Sequence, residues 1–299
     1  MEPRVGCRVL RMTTTPVTSS AAANAAEDFL RTFHNHTPGL QSAGVEASPT
    51  PEGSTSYQVL ARHVAGARRV LDLGCADGAL LQLLAEQGAD VLAGVDLSAG
   101  ELALARNRPA LAHADLREGR AQQLPFTDGS FDAVVSHMAL MLMADVEQVA
   151  REAARVLVPG GKLAVAMGGG PVEGEAMELF LTLARPYFRA APVERHMPRL
   201  GDRRCRTREG LDEILAPAGF APVSWEPITL DMGGTPAEAW QSITGAFYDM
   251  TVLDADQTED LREAFIERSG ALVTADGHLP CGMRINTAST VLTRAACPQ

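Results

Sequence analysis

The spacing of apolar residues changes along the chain, and the changes mark out its elements. From residue 69, short runs of Val, Leu and Ala alternate with amphipathic stretches: "RVLDLG" then "ALLQLLAEQ", "DVLAGVDLS" then "AGELALARNR", and "ALAHADL". Apolar runs separated by helical segments at this spacing predict βαβ units and a parallel sheet. "FDAVVSHMAL" supplies a fourth strand and "GGKLAVAMGG" a fifth. The helix between them, "DVEQVAREAARVLV", carries Val146, Val149, Ala153 and Val156 on one face. A helix is expected around 172–189, and another over "TREGLDEILAPAG" with Thr207 as its N-cap. The strand "APVSWEPITL", the helices "PAEAWQSITGAFYDM" and "TEDLREAFIERSG", and a last strand "MRINTASTVLTR" complete the pattern.

Ahead of the first strand, Phe29, Leu30 and Phe33 give "AEDFLRTFHNH" the spacing of a short helix that Pro38-Gly39 ends, and "SYQVLARHV" reads as a second helix. Residues 26–66 are therefore expected to form an N-terminal helical lid. The Ser/Thr/Ala-rich stretch before them lacks an apolar period, so 1–25 reads as a disordered tail, with Met12 as an alternative first residue. The remainder, 67–297, reads as one domain with a helical cover at about 232–272.

Composition narrows the function. A formal charge of −11 at pH 7 disfavours a nucleic-acid phosphate backbone or an anionic bilayer as partner. Cys7, Cys75, Cys205, Cys281 and Cys297 are odd in number, form no CxxC pair, and suggest neither disulfides nor structural zinc. No stretch reaches the roughly 20 apolar residues of a membrane span, and the N-terminus lacks a secretory pattern, so a cytoplasmic protein is expected, as monomer or homodimer. Lys162, the only lysine, lies in a Gly-Gly turn, which argues against a Schiff-base cofactor.

The candidate chemistry centres on residues 70–98. A glycine turn after one strand and an acid closing the next, Asp96, bind a ribose in several nucleotide-cofactor sites. A nicotinamide or flavin fingerprint wants G-x-G-x-x-G. Here the run is Gly74-Cys75-Ala76-Asp77-Gly78, with Asp77 where a pyrophosphate would enter. A cofactor with a cationic centre and an ammonium group suits that turn better.

Asp72-x-Gly74-x-Ala76-x-Gly78 resembles the (E/D)-x-G-x-G-x-G motif of the class I S-adenosylmethionine (SAM) dependent methyltransferases. "LPFTDGSFDAVVS" (124–136) and "EAARVLVPGGKL" (152–163) are similar to motifs of the ubiquinone-methyltransferase-like branch. The resemblance covers about residues 68–168. It implies a doubly wound, Rossmann-like α/β sheet of seven mostly parallel strands, the last antiparallel, with helices on both faces. It implies SAM as cofactor, with Asp96 on the ribose hydroxyls, Leu97 against adenine, Gly74 admitting the methionine end, and Asp72 organising the turn and the amino group. Cys75, Ala76 and Gly78 belong to the same turn, and Ser136 to the exit of the fourth strand. The acid usual near the adenine amine is replaced, the stretch reading Gly119-Arg120-Ala121-Gln122-Gln123, so Ala121 and Gln122 stand there instead. Tyr57 is placed at the methionine end.

Methyl transfer asks mainly for alignment and dehydration, sometimes with a base. His137, leaving the fourth strand with an ordinary pKa near 6.5, is the base candidate, against the alternative that it only packs. Phe33, Met138, Trp240, Phe247 and Tyr248 are candidate substrate contacts, the last three sharing one helix face. Packing is the competing reading for each, and His34 with His36 suits a lid better than a metal site. No metal is expected. The fourth strand ends in "SHMA" rather than the Asn/Asp-Pro-Pro-aromatic signature of base-amino methyltransferases, and no arginine-methyltransferase glutamate pair or arsenic-type thiol set is present, leaving a small-molecule acceptor in secondary metabolism as the expectation. Two alternatives stay open: intramolecular cyclisation of SAM to azetidine-2-carboxylate and methylthioadenosine, and a non-enzymatic SAM-binding regulator.

Overall fold

The computed structural model describes residues 20–293. Three helices precede the sheet: α1 (Ser20–His36), α2 (Leu40–Ala47) and α3 (Ser56–His63). Then follow β1 (Arg69–Leu73), α4 (Ala79–Glu86), β2 (Val91–Asp96), α5 (Ala99–Arg106), β3 (Asp115–Glu118), β4 (Phe131–His137), α6 (Val146–Val156) and β5 (Leu157–Pro171). The C-terminal part holds α7 (Ala176–Ala190), α8 (Arg208–Leu215), β6 (Ser224–Asp231), α9 (Pro236–Ala246), α10 (Ala255–Ser269) and β7 (Gly282–Val291).

The strands form one sheet in the order β3-β2-β1-β4-β5-β7-β6. All pairs are parallel except those of β7, which enters antiparallel between β5 and β6. The chain leaves β3 at one edge and returns beside β1, so the order reverses between β1 and β4. In such sheets the ligand crevice opens beyond the carboxyl ends of the strands at that reversal.

Both faces are covered, which is why the central strands read as continuous apolar runs. Leu71, Leu73, Val134 and Val165 pack under α6 and α8, whereas Val70, Ala133, Val135 and Ala164 pack with Leu60, Leu81 and Leu102 of α3, α4 and α5. A third core lies beyond the sheet, where Phe180 of α7, Trp240 of α9 and Phe265 of α10 meet with ring centroids 5.7–6.3 Å apart.

Several boundaries differ from the sequence expectation. α1 begins at Ser20, so residues 20–25 of the expected tail are helical; this Ala-rich segment forms helix readily, and Ala26 is already buried. The rest of the tail, Met12 included, lies outside the described residues. The strand expected over "ALAHADL" starts only at Asp115, because Pro109 opens a short 3-10 turn. α2 was not foreseen. α9 stops at Ala246, and Tyr248 begins a separate 3-10 turn, so Trp240, Phe247 and Tyr248 do not share one helix. The cover also recruits α7, outside the expected 232–272.

Candidate functional site

The crevice at the carboxyl ends of β1, β2, β4 and β5 holds a cavity of about 760 Å³, continued by a smaller one of about 90 Å³. The larger is in the upper part of the range for small-molecule sites. The two share His34, Gly74, Asp96, Ala139 and Leu142.

The turn after β1 forms the floor. Gly74 has φ 74°, and a Cβ there would collide with Ala139. Ala76, in the place of the motif's middle glycine, also takes a left-handed backbone, with φ 46°. That geometry aims its N–H at Asp96 Oδ2, 2.9 Å away, while Asp96 Oδ1 accepts from the Ser98 N–H at 2.8 Å. Each oxygen keeps a further lone pair, and Asp96 remains partly open to both cavities. Burial pushes its pKa up, against the two backbone hydrogen bonds.

Asp72 is the less satisfied acid. It lines the larger cavity at 2% exposure, and its Oδ1 has no hydrogen-bond partner. Burial first, and the neighbouring charge of Asp96 second, raise its pKa to about 8. Two close carboxylates, one without a donor, are the setting in which a cationic ligand gains most.

Tyr57, Cys75, His137, Met138, Phe247 and Tyr248 also line the larger cavity, and Leu97, Ala121 and Gln122 line the smaller. His137 places Nε2 2.9 Å from Ser56 Oγ and meets the Tyr57 ring edge-on with centroids 4.5 Å apart. Burial lowers its pKa to about 4, so the ordinary value expected from sequence does not hold; the imidazole is neutral and a weak proton acceptor. Met138, next in the chain, has φ 56°, the strained kind of backbone common at binding sites.

Four sequence candidates do not line either cavity. Ser136 is fully buried, donating from Oγ to the Leu73 carbonyl and accepting from the Leu140 N–H; it ties β4 to β1. Gly78 starts α4 with φ 79°, where a Cβ would press into Leu111 and Ala105. Trp240 belongs to the core of the cover. Phe33 instead supports Tyr248, with ring centroids 4.8 Å apart.

Some site features were not foreseen. His34 lies between Glu101, 3.1 Å from Nδ1, and the Tyr248 hydroxyl, 3.0 Å from Nε2. Glu101 is buried and also accepts from the Gly39 N–H at 2.9 Å, while Asn35 Oδ1 accepts from Ser98 Oγ and the Gly100 N–H. The segment "FHNHTPG" is thus bolted to α5 on one side and to the cover on the other. Asp77, read as a charge in the turn, does not line the cavity: it pairs with Arg108 at 2.5 Å and accepts from Ser42 Oγ of α2. Arg120 likewise turns to Glu27 of α1, 2.7 Å away, and Gln122 donates to the Ala144 carbonyl. Only "HNH" hinted at any of this; the buried acid of α5 carries no sequence signal.

Residues 71–165, β1 through most of β5, match the family model described as a methyltransferase domain. A demethylmenaquinone methyltransferase of Thermus thermophilus is 37% identical over 138 residues, 45% of this chain and 58% of that protein. Methyltransferase GfsG of Streptomyces halstedii is 36% identical over 107 residues, 34% and 38% of the two chains. The 27-O-demethylrifamycin SV methyltransferase of Amycolatopsis mediterranei is 37% identical over 101 residues, 32% and 37%. The chain spans about half the length, or less, of these curated relatives. Among solved structures, the YcgJ protein of Bacillus subtilis superimposes with a TM-score of 0.52 at 17% identity, covering 80% of this chain and 98% of its own. Phosphoethanolamine N-methyltransferase 2 of Haemonchus contortus, in complex with S-adenosyl-L-methionine, gives 0.51 at 21% identity, covering 88% and 60%. At these identities the structural likeness is one of fold.

Proposed function

We propose, on the premise that the chain belongs to the class I S-adenosylmethionine-dependent methyltransferase family, that it transfers a methyl group from SAM to a small-molecule acceptor. The observation that carries this reading is the pair of crevice carboxylates: Asp72, with an unpartnered Oδ1, and Asp96, each of whose oxygens accepts one backbone hydrogen bond and which lines both cavities. Asp72 would receive the ammonium of the methionine end, and Asp96 the vicinal hydroxyls of the ribose. Leu97, Ala121 and Met143 wall the smaller cavity and suit a flat purine. Gly74 lets the turn pack against Ala139, where any Cβ would collide.

When bound, SAM supplies an electrophilic sulfonium methyl. The chain's own part is alignment and dehydration. α1 and the 248–252 turn close over the crevice through His34 and Tyr248, and the apolar cover excludes water above the ends of β4 and β5. His137 stands beside the acceptor position; with its basicity lowered, its proposed role is to orient an acceptor that is already deprotonated or easily becomes so. The relative named for 27-O-demethylrifamycin SV supports secondary metabolism as the setting, and we place the reaction in the cytoplasm. Among the described residues, no helix is long and apolar enough to cross a membrane.

The test is mass spectrometry of the purified protein with SAM, alone and with a metabolite extract. S-adenosylhomocysteine formed only with the extract supports the reading. Methylthioadenosine formed from SAM alone would replace it with the cyclisation chemistry, and neither product would overturn it.

A further inference from the structure

Resting on the methyltransferase reading, we infer that the acceptor is an apolar molecule bearing an anionic group, a carboxylate or a phosphate, and that Arg206 binds that group inside the cavity. Away from Asp72 and Asp96 the wall of the larger cavity is mainly apolar and rich in methionine, including Met138, Met141, Met197, Met232 and Met283, with Gln41, Gln241, Ser242 and Asp249 among its polar members. Such a wall accommodates an apolar body of variable shape. Arg206 is the one arginine that lines it. Its Nη1 would lie 3.4 Å from a Cβ placed on Gly168, which the same Cβ would share with the methyl ends of Met138 and Met141 at 3.7 and 3.8 Å. The guanidinium therefore sits at the end of β5, beside the β4 exit that carries His137.

What distinguishes Arg206 is that it lines the cavity and has no acid to pair with. Its neighbour Arg204 is held by Asp202 and Glu147, and Arg195 by Asp254. Among the described residues, the Arg206 side chain has neither a hydrogen bond nor an ion pair, although Asp72, Asp96 and Asp249 line the same cavity. A guanidinium is charged at every working pH and presents a planar fork that matches a carboxylate or phosphate. The surrounding segment strengthens the case. Residues 195–208, "RHMPRLGDRRCRTR", carry six arginines and one acid in a chain whose net charge is −11. Arg206 itself is exposed at the cavity's edge, as are Arg195, Arg199, Arg203 and Arg208 of this segment. The same segment lends Met197, Pro198, Leu200 and Arg206 to the cavity wall, so its positive charge favours entry of an anion. A neutral acceptor would leave Arg206 without a function.

The experiment measures binding of decanoate and of decanamide, equal in length and differing in charge, to the full chain loaded with S-adenosylhomocysteine, by calorimetry. Decanoate is expected to bind about tenfold tighter. In Arg206→Met the two should bind alike with S-adenosylhomocysteine affinity unchanged, and Arg206→Lys should keep part of the preference. Equal binding to the native chain, or a preference that survives Arg206→Met, overturns the assignment. Failure of S-adenosylhomocysteine to bind, with the decanoate preference still lost in Arg206→Met, overturns the cofactor reading and leaves the anion site standing.

Discussion

Asp72 and His137 face the same cavity and respond to burial in opposite senses, one carboxyl raised to about 8 and one imidazole lowered to about 4. In the folded chain without ligand, Asp72 keeps its proton up to about pH 8, whereas in the unfolded chain it ionises near 4. The folded state then holds the extra proton, so stability from this group falls as pH rises between those values. Asp72→Asn should flatten that fall and raise the melting temperature at pH 8, while weakening S-adenosylhomocysteine binding about tenfold or more. Thermal melts from pH 5 to 8.5 check the first point and calorimetry the second; parallel melting curves for both proteins would remove the basis for it. For His137 the low value predicts no inflection near 6.5 in kcat/KM that is lost on substitution. His137→Gln, which can keep the bond to Ser56, should cost less than about tenfold in kcat. A general base would cost roughly 10²–10⁴.

At the scale of elements, His34 of α1 and Tyr248 join the N-terminal helices to the cover beside the crevice. Tyr248→Phe keeps the ring packed on Phe33 but removes the bond to His34, and is expected to weaken S-adenosylhomocysteine binding several-fold with little change in melting temperature. Glu101→Ala goes further, leaving the Gly39 N–H and His34 Nδ1 without their acceptor at a cost of about 2–4 kcal/mol. Hydrogen exchange should then speed up across 20–47 while β1 and β4 stay protected; uniform loss of protection would count against a separable latch. The strands β1, β2, β4 and β5 were legible because each is a continuous apolar run between turn residues. α2 was not, because "LQSAGVEA" has too few apolar residues to show a period and is fixed instead by Ser42 on Asp77 and by packing against α9. Gly78 and Ser136 were legible as motif positions but not as to role. A motif cannot tell a glycine that admits a ligand from one that admits Leu111, nor a serine facing the cavity from one spanning two strands.

Across the whole molecule, the part that matches the methyltransferase domain ends within β5, so the helices that roof the larger cavity belong to a region with its own core around Phe180. The division separates two jobs. Asp72 and Asp96 stand on the sheet, while Phe247, Met177 and Met232 reach the cavity from the cover region. Phe180 is fully buried, with ring centroids 5.8 Å from Trp240 and 5.6 Å from Phe247. Phe180→Ala would open a void costing about 3–5 kcal/mol in that core. If the cover is a cooperative unit of its own, the loss appears as faster hydrogen exchange in α7, α9 and α10 with the sheet unaffected. S-adenosylhomocysteine affinity should then drop no more than in Tyr248→Phe, because no residue of α7, α9 or α10 lines the smaller cavity proposed for adenine, whereas turnover should fall by at least tenfold as the walls of the larger cavity loosen. Cofactor affinity collapsing together with turnover would mean that lid, sheet and cover open as one body, and that the acceptor walls cannot be altered independently of the cofactor site.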